Sequence, residues 1–144
     1  MKLRVTKEIR FEAADALDNY QGKCHDIHGH SYHLKITVLG EVLDDDQAKM
    51  DGMVIDFGKL NEILKTNVEP FFDHHLILKS NSRFKGIETF NNRVRYVPYQ
   101  PTCENLLGEI VQIVSKHLEG VIVHSAFLRE TPTSYAEWYR TDNE

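Results

Sequence analysis

His28-Gly29-His30 is the part of this sequence with the plainest capacity for chemistry. In extended backbone, residues two apart project to the same side, so both imidazoles can converge on one ion. Four of the eight histidines, His25, His28, His30 and His33, fall within nine residues. A His-x-His pair alone is a weak signal. Asp15 strengthens it, because its odd parity matches the buried face of a first strand, while His28 and His30 match that of a second. If those strands pair antiparallel, the end of one lies beside the start of the other, and the three side chains converge. Two histidines and a carboxylate with an open fourth position form a layout for catalytic zinc. The expected cofactor is therefore Zn2+, held by Asp15, His28 and His30. His25 and His33 have the wrong parity and are expected on the surface.

Proton-transfer groups accompany these ligands. Cys24 lies four residues before His28. A thiol beside a metal or an imidazole can have a lowered pKa and act as base or nucleophile. Ligation of the ion by Cys24 itself is the second reading. Asp73-His74-His75 offers a carboxylate that can orient an imidazole, the usual proton-transfer unit, though a polar turn would read the same way. Glu130 ends an otherwise apolar strand. Thr102 and Glu104 open a helix, where such residues are favoured for capping alone. Cys103 reads as a buried structural thiol, His117 as a helix-end residue and His124 as a strand residue.

Regular elements must hold these groups. Leu3, Val5, Ile9, Phe11 and Ala13 alternate with polar neighbours over Met1 to Ala13, which predicts a strand with one buried face. Ser31 to Val42 alternates in the opposite parity, with Tyr32, Leu34, Ile36 and Val38 facing inward. Asp15 to His30 reads as the loop between them. Asp56 can cap a helix carrying Leu60, Ile63, Leu64 and Val68 on one face. Thr102 can cap a second, with Leu106, Leu107, Ile110, Val111, Val114 and Leu118 as its stripe and Gly120 as its stop. Residues 79–100 read as a long excursion with room for a short hairpin. Val121 to Glu130 and Ser134 to Arg140 predict two closing strands around a turn at Thr131-Pro132-Thr133. The order ββααββ is α+β, with a four-stranded antiparallel sheet expected.

Composition narrows the class. A chain of 144 residues can bury one sizeable core, so residues 1–144 are expected to form a single domain. A net charge of −5 argues against nucleic-acid binding, which favours a basic stripe. Arg83, Lys85, Arg93 and Arg95 form a local basic stretch, read first as a solvated loop face and second as an attractor of an anionic substrate. No apolar run is long enough for a bilayer span, and the first residues lack the apolar core of a signal peptide. The expected compartment is the cytoplasm, and two cysteines are too few for a disulfide framework.

Seven segments occur in the order found in a known family: Phe11-Glu12-Ala13-Ala14-Asp15, Gly22-Lys23-Cys24, His28-Gly29-His30-Ser31-Tyr32, Gly52-Met53-Val54-Ile55-Asp56-Phe57, Asp73-His74, Pro101-Thr102-Cys103-Glu104-Asn105 and Glu130-Thr131. They make the chain resemble the 6-pyruvoyl tetrahydropterin synthase and 6-carboxytetrahydropterin synthase family over all but residues 79–100. The resemblance implies the tunnelling fold, a four-stranded antiparallel sheet with two helices on one face. It also implies homotrimers or homohexamers with active sites between subunits. The Cys24-to-His28 spacing and Ile55-Asp56-Phe57 resemble the carboxy branch, which feeds queuosine synthesis. The implied activity is conversion of 7,8-dihydroneopterin triphosphate to 6-carboxy-5,6,7,8-tetrahydropterin, a lyase reaction. The alternatives are the 6-pyruvoyl synthase reaction on the same substrate and a non-catalytic pterin binder. The implied catalytic residues are Cys24, Asp73 and His74, with Glu130, Thr102 and Glu104 binding the pterin. One position departs from the pattern: the family's first zinc ligand is normally histidine, and here it is Asp15.

Overall fold

A computed structural model describes residues 1–144. Strand β1 (Lys2–Asp15) pairs antiparallel with β2 (His28–Glu41) along their full length, from Lys2 opposite Glu41 to Asp15 opposite His28. The alternation in sequence sets the faces. Ile9, Phe11 and Ala13 of β1 and Tyr32, Leu34, Ile36 and Val38 of β2 are all buried. Strand β5 (Ile122–Thr131) adds antiparallel to β2, and β6 (Ser134–Tyr139) adds to β5.

Both main helices cover this buried face. Helix α1 (Phe57–Asn67) is capped by Asp56, whose side chain accepts from the Gly58 N–H at 2.7 Å. It buries Leu60, Ile63 and Leu64. A short α2 (Glu69–Phe72) follows, with Pro at its first turn and Phe72 buried. Helix α3 (Cys103–His117) is capped by Thr102 and buries Leu106, Leu107, Ile110, Val111 and Val114. Gly120 follows with φ at +73°, a left-handed conformation that glycine adopts without a Cβ clash. Side chains from the sheet and both helices form one core, where a residue such as Phe11 gains roughly 2–3 kcal/mol from burial.

The α+β class holds, but the sheet is neither four-stranded nor purely antiparallel. Its order is β4-β3-β1-β2-β5-β6. Strand β3 (His75–Lys79) runs parallel to β1, and β4 (Val94–Val97) runs parallel to β3. A parallel β3–β4 pair rules out a hairpin within residues 79–100. The intervening residues instead cross over through a 3-10 turn at Ile87–Thr89. Alternation could not reveal β3, because Leu76, Ile77 and Leu78 are all buried. Strands covered on both faces read as continuous apolar runs. Leu76 and Leu78 pack with Ala16, Phe84, Ile87, Val94 and Tyr96 in a second, smaller core on the opposite face of the sheet.

The basic stretch is also more structured than a solvated loop. Arg83 pairs with Asp18 at 3.3 Å and donates to the His25 carbonyl. Arg95 pairs with Glu109 and lies over the Phe72 ring, 4.9 Å from its centroid. Lys85 and Arg93 are exposed. No helix is long and apolar enough to cross a membrane.

Candidate metal centre

The β1–β2 register places Asp15 directly opposite His28 and Ala13 opposite His30. Both histidines therefore belong to β2 rather than to the preceding loop. The ligand atoms of Asp15, His28 and His30 all lie within 4.8 Å of one another, on the helix-covered face. Asp15 Oδ1 is 3.3 Å from His28 Nε2. The His28 and His30 rings meet edge to face, with centroids 4.8 Å apart.

The donor set suits a metal ion. His28 Nδ1 lies 2.7 Å from the Asp26 carbonyl oxygen. A carbonyl only accepts, so Nδ1 carries the proton and Nε2 presents a lone pair to the cluster. His30 Nε2 is buried and makes no hydrogen bond, although Glu130 Oε1 is 3.2 Å away. Burial lowers the His30 pKa, aided by His28 and opposed by Glu130, which favours the neutral ring that a metal requires. Asp15 is 2% exposed. Burial pushes its carboxyl up to about 6; His28 and the Tyr32 hydroxyl act against the shift, and Glu130 adds to it. A buried carboxylate beside the His28 lone pair and the His30 ring is a group that a divalent cation would stabilise.

Two residues complete the surroundings. The Tyr32 hydroxyl donates to Asp15 Oδ2 at 3.1 Å and lies 3.4 Å from Glu130 Oε1. Sequence reasoning assigned Tyr32 to the core alone. Its parity, two residues beyond His30 on the same face, was the signal that could have revealed it. Glu130 reaches the same cluster from β5.

Cys24 stands in a 3-10 turn (Lys23–His25) before β2 and is half-buried. It does not join the three-ligand cluster. Burial raises its thiol pKa, reinforced by the negative charges of Glu130 and Asp15, so without a cation the thiol is held protonated. Cys103 is buried, donates to the Leu128 carbonyl and is pushed by burial up to about 12, as suits a structural thiol.

Asp73 and His74 immediately precede β3, on the side of β1 away from β2. Asp73 Oδ2 is 2.9 Å from His74 Nδ1, and Oδ1 accepts from the Glu12 N–H at 2.9 Å. Burial works against the charge on Asp73, but the Glu12 N–H, His74 and Arg93 outweigh it, and its pKa is lowered. His74 takes a left-handed φ of +58° and is largely exposed. His30 and His74 both line one open pocket of about 370 Å³, with Glu12, Ala14, Gly29 and Ser31 among its walls. Thr102 and Glu104 stay at the start of α3. The Thr102 hydroxyl accepts from the Asn105 N–H at 3.2 Å, and Glu104 is exposed. His33 is not a free surface residue, since its Nε2 lies 2.7 Å from Glu8 Oε1. His25 is half-buried beneath Arg83.

The fold and this cluster define an α+β chain with a three-residue candidate metal site at the end of its central hairpin. A structure of Caenorhabditis elegans 6-pyruvoyl tetrahydropterin synthase superposes with a TM-score of 0.71 at 22% identity, covering 96% of each chain. An uncharacterized protein of Wolinella succinogenes superposes at 0.78 with 18% identity, over 97% of this chain and 99% of that one. The sequence profile described as 6-pyruvoyl tetrahydropterin synthase matches residues 4–141, and the chain belongs to that family. Among its relatives, the 6-carboxy-5,6,7,8-tetrahydropterin synthase of Haemophilus influenzae is 34% identical over 140 residues, covering 94% of this chain and 97% of that protein. The Rickettsia bellii protein of the same name is 33% identical over 141 residues, covering 94% of this chain and 99% of its own.

Proposed function

We propose that the chain, as a single domain, is a zinc-dependent 6-carboxytetrahydropterin synthase. It would convert 7,8-dihydroneopterin triphosphate to 6-carboxy-5,6,7,8-tetrahydropterin with release of acetaldehyde and triphosphate, in queuosine synthesis. The observation that carries this reading is the convergence of Asp15, His28 and His30 beside Glu130, in a chain whose relatives carry that name.

Asp15, His28 and His30 would hold the ion through Oδ1 and the two Nε2 atoms. Zinc bound there supplies Lewis-acid polarisation of the substrate's side-chain hydroxyls. Cys24 removes a side-chain proton as thiolate. Burial, Glu130 and Asp15 raise its pKa, so positive charge in the site would favour the thiolate. His74 moves protons on the other face of the substrate, held by Asp73 through its Nδ1. Glu130 receives the amino-pyrimidine edge of the pterin through charge-assisted hydrogen bonds. Thr102 and Glu104 shape that end of the pocket. The exposed His74 and the open sheet edges at β4 and β6 support assembly into a cytoplasmic homotrimer or homohexamer with sites shared between copies.

Mass-spectrometric product analysis of zinc-loaded protein with 7,8-dihydroneopterin triphosphate tests the reading. The expected products are 6-carboxytetrahydropterin and acetaldehyde. A 6-pyruvoyl product would keep the site and change the pathway, and absence of turnover with zinc bound would overturn the proposed reaction.

A further inference from the structure

Tyr32 sits where the departure at Asp15 has its consequences. Its side chain is 1% exposed. The ring stacks on Phe11, with centroids 5.0 Å apart and planes at 20°, and meets His30 edge to face at 5.6 Å. These contacts fix where the hydroxyl points. That hydroxyl has one proton and two carboxylates within reach, Asp15 Oδ2 at 3.1 Å and Glu130 Oε1 at 3.4 Å. The shorter contact engages Asp15. The other Asp15 oxygen, Oδ1, is the one that faces His28 Nε2 at 3.3 Å.

An imidazole offers a metal one lone pair, whereas a free carboxylate can offer one oxygen or two. A carboxylate with one oxygen tied to a fixed donor behaves like the imidazole. We propose that Tyr32 is a positioning residue for the metal centre: its hydroxyl takes Oδ2 of Asp15 so that the carboxylate presents Oδ1 alone, as a one-atom ligand in place of the family's histidine. This rests on the zinc reading of the site, not on the identity of the product. Partners that orient metal ligands commonly matter this much to affinity, because they remove the freedom of the ligand to turn away.

Tyr32→Phe deletes the hydroxyl and keeps the ring stacked on Phe11. Zinc affinity of the full chain, measured by competition with a chromogenic chelator, is expected to fall about 10–100-fold. The visible spectrum of the Co2+-loaded variant is expected to lose intensity as the freed carboxylate adds a second oxygen. In an Asp15→His background the same Tyr32→Phe change should leave zinc affinity unaltered, because the partner oxygen is gone. Equal affinity and equal spectra for wild type and Tyr32→Phe would overturn the inference. So would an equal loss in both backgrounds, which would mark a general packing effect. A wild-type chain that binds no zinc removes this inference and the zinc reading together. Loss of affinity in Tyr32→Phe, with no pterin product from the wild type, upholds the inference and removes only the reaction.

Discussion

Asp15 and His28 are direct partners across the β1–β2 ladder, and their side chains approach to 3.3 Å on the buried face. The pairing makes Asp15 the only one of the three candidate ligands that comes from β1. Asp15→Ala should leave two imidazoles unable to retain the ion through dialysis. Elemental analysis of the purified variant checks this, and full zinc occupancy would remove Asp15 from the ligand set.

The position of Cys24 near two carboxylates gives a prediction with a definite sign. Burial raises the thiol pKa and the charges of Glu130 and Asp15 add to it, so removing one negative charge should favour the thiolate. The pH–rate curve for iodoacetamide alkylation of metal-free Glu130→Gln should therefore move to lower pH than that of the wild type. Zinc loading of the wild type should move it in the same direction. A curve unmoved by Glu130→Gln would show that the two side chains do not interact.

Cys24→Ala should lower turnover of 7,8-dihydroneopterin triphosphate at least ~100-fold if the thiol is the base. Zinc content should stay at the wild-type level, since Cys24 lies outside the ligand cluster. Near-normal turnover would take Cys24 out of the mechanism, and loss of zinc would make it a ligand.

Asp73 carries the clearest link between acid and stability. Its pKa in the folded chain lies below its ordinary value of 3.8. A depressed carboxyl contributes stability that is present above the ordinary pKa and lost as pH falls through the folded value. Asp73→Asn should thus be less stable than wild type in urea at pH 7, with the gap closing as the pH falls below about 3.8. A gap that stays constant with pH would assign the loss to hydrogen bonding rather than to charge.

Thr102 has a defined structural task, and this separates it from a binding role. Thr102→Ala should cost about 1 kcal/mol of stability through loss of the α3 cap, and Thr102→Ser should recover most of it. If Thr102 also shapes the pterin pocket, KM should rise in Thr102→Ala beyond what its residual folded fraction explains. Equal KM values in both variants would confine Thr102 to the cap.

Alternating and helical periodicity made β1, β2, α1 and α3 legible, because each of them buries one face and exposes the other; β5 was legible from its β-branched residues and β6 from a weak alternation, with no residue fully buried. The same parity argument brings Asp15, His28 and His30 together from sequence alone, since period-two geometry continues to the ends of a paired ladder. Two kinds of feature escaped it. Strand β3 is buried on both faces and has no alternation to read, and β4 is too short to show any. Tyr32 reads as one more core aromatic, because sequence does not say which buried hydroxyl has a carboxylate opposite. The raised pKa of Cys24 was equally hidden, for it depends first on burial and then on Glu130, which arrives from a strand more than a hundred residues along the chain.

The long β1–β2 ladder has a consequence for how the chain can go wrong. A slip of one residue reverses every inward and outward assignment in a strand. Such a slip in β2 would turn both imidazoles toward solvent and bring Gly29 and Ser31 inward, so the misaligned chain would have no ion site at all. Under the zinc reading proposed above, retained metal would therefore report that the central hairpin was assembled in the correct frame.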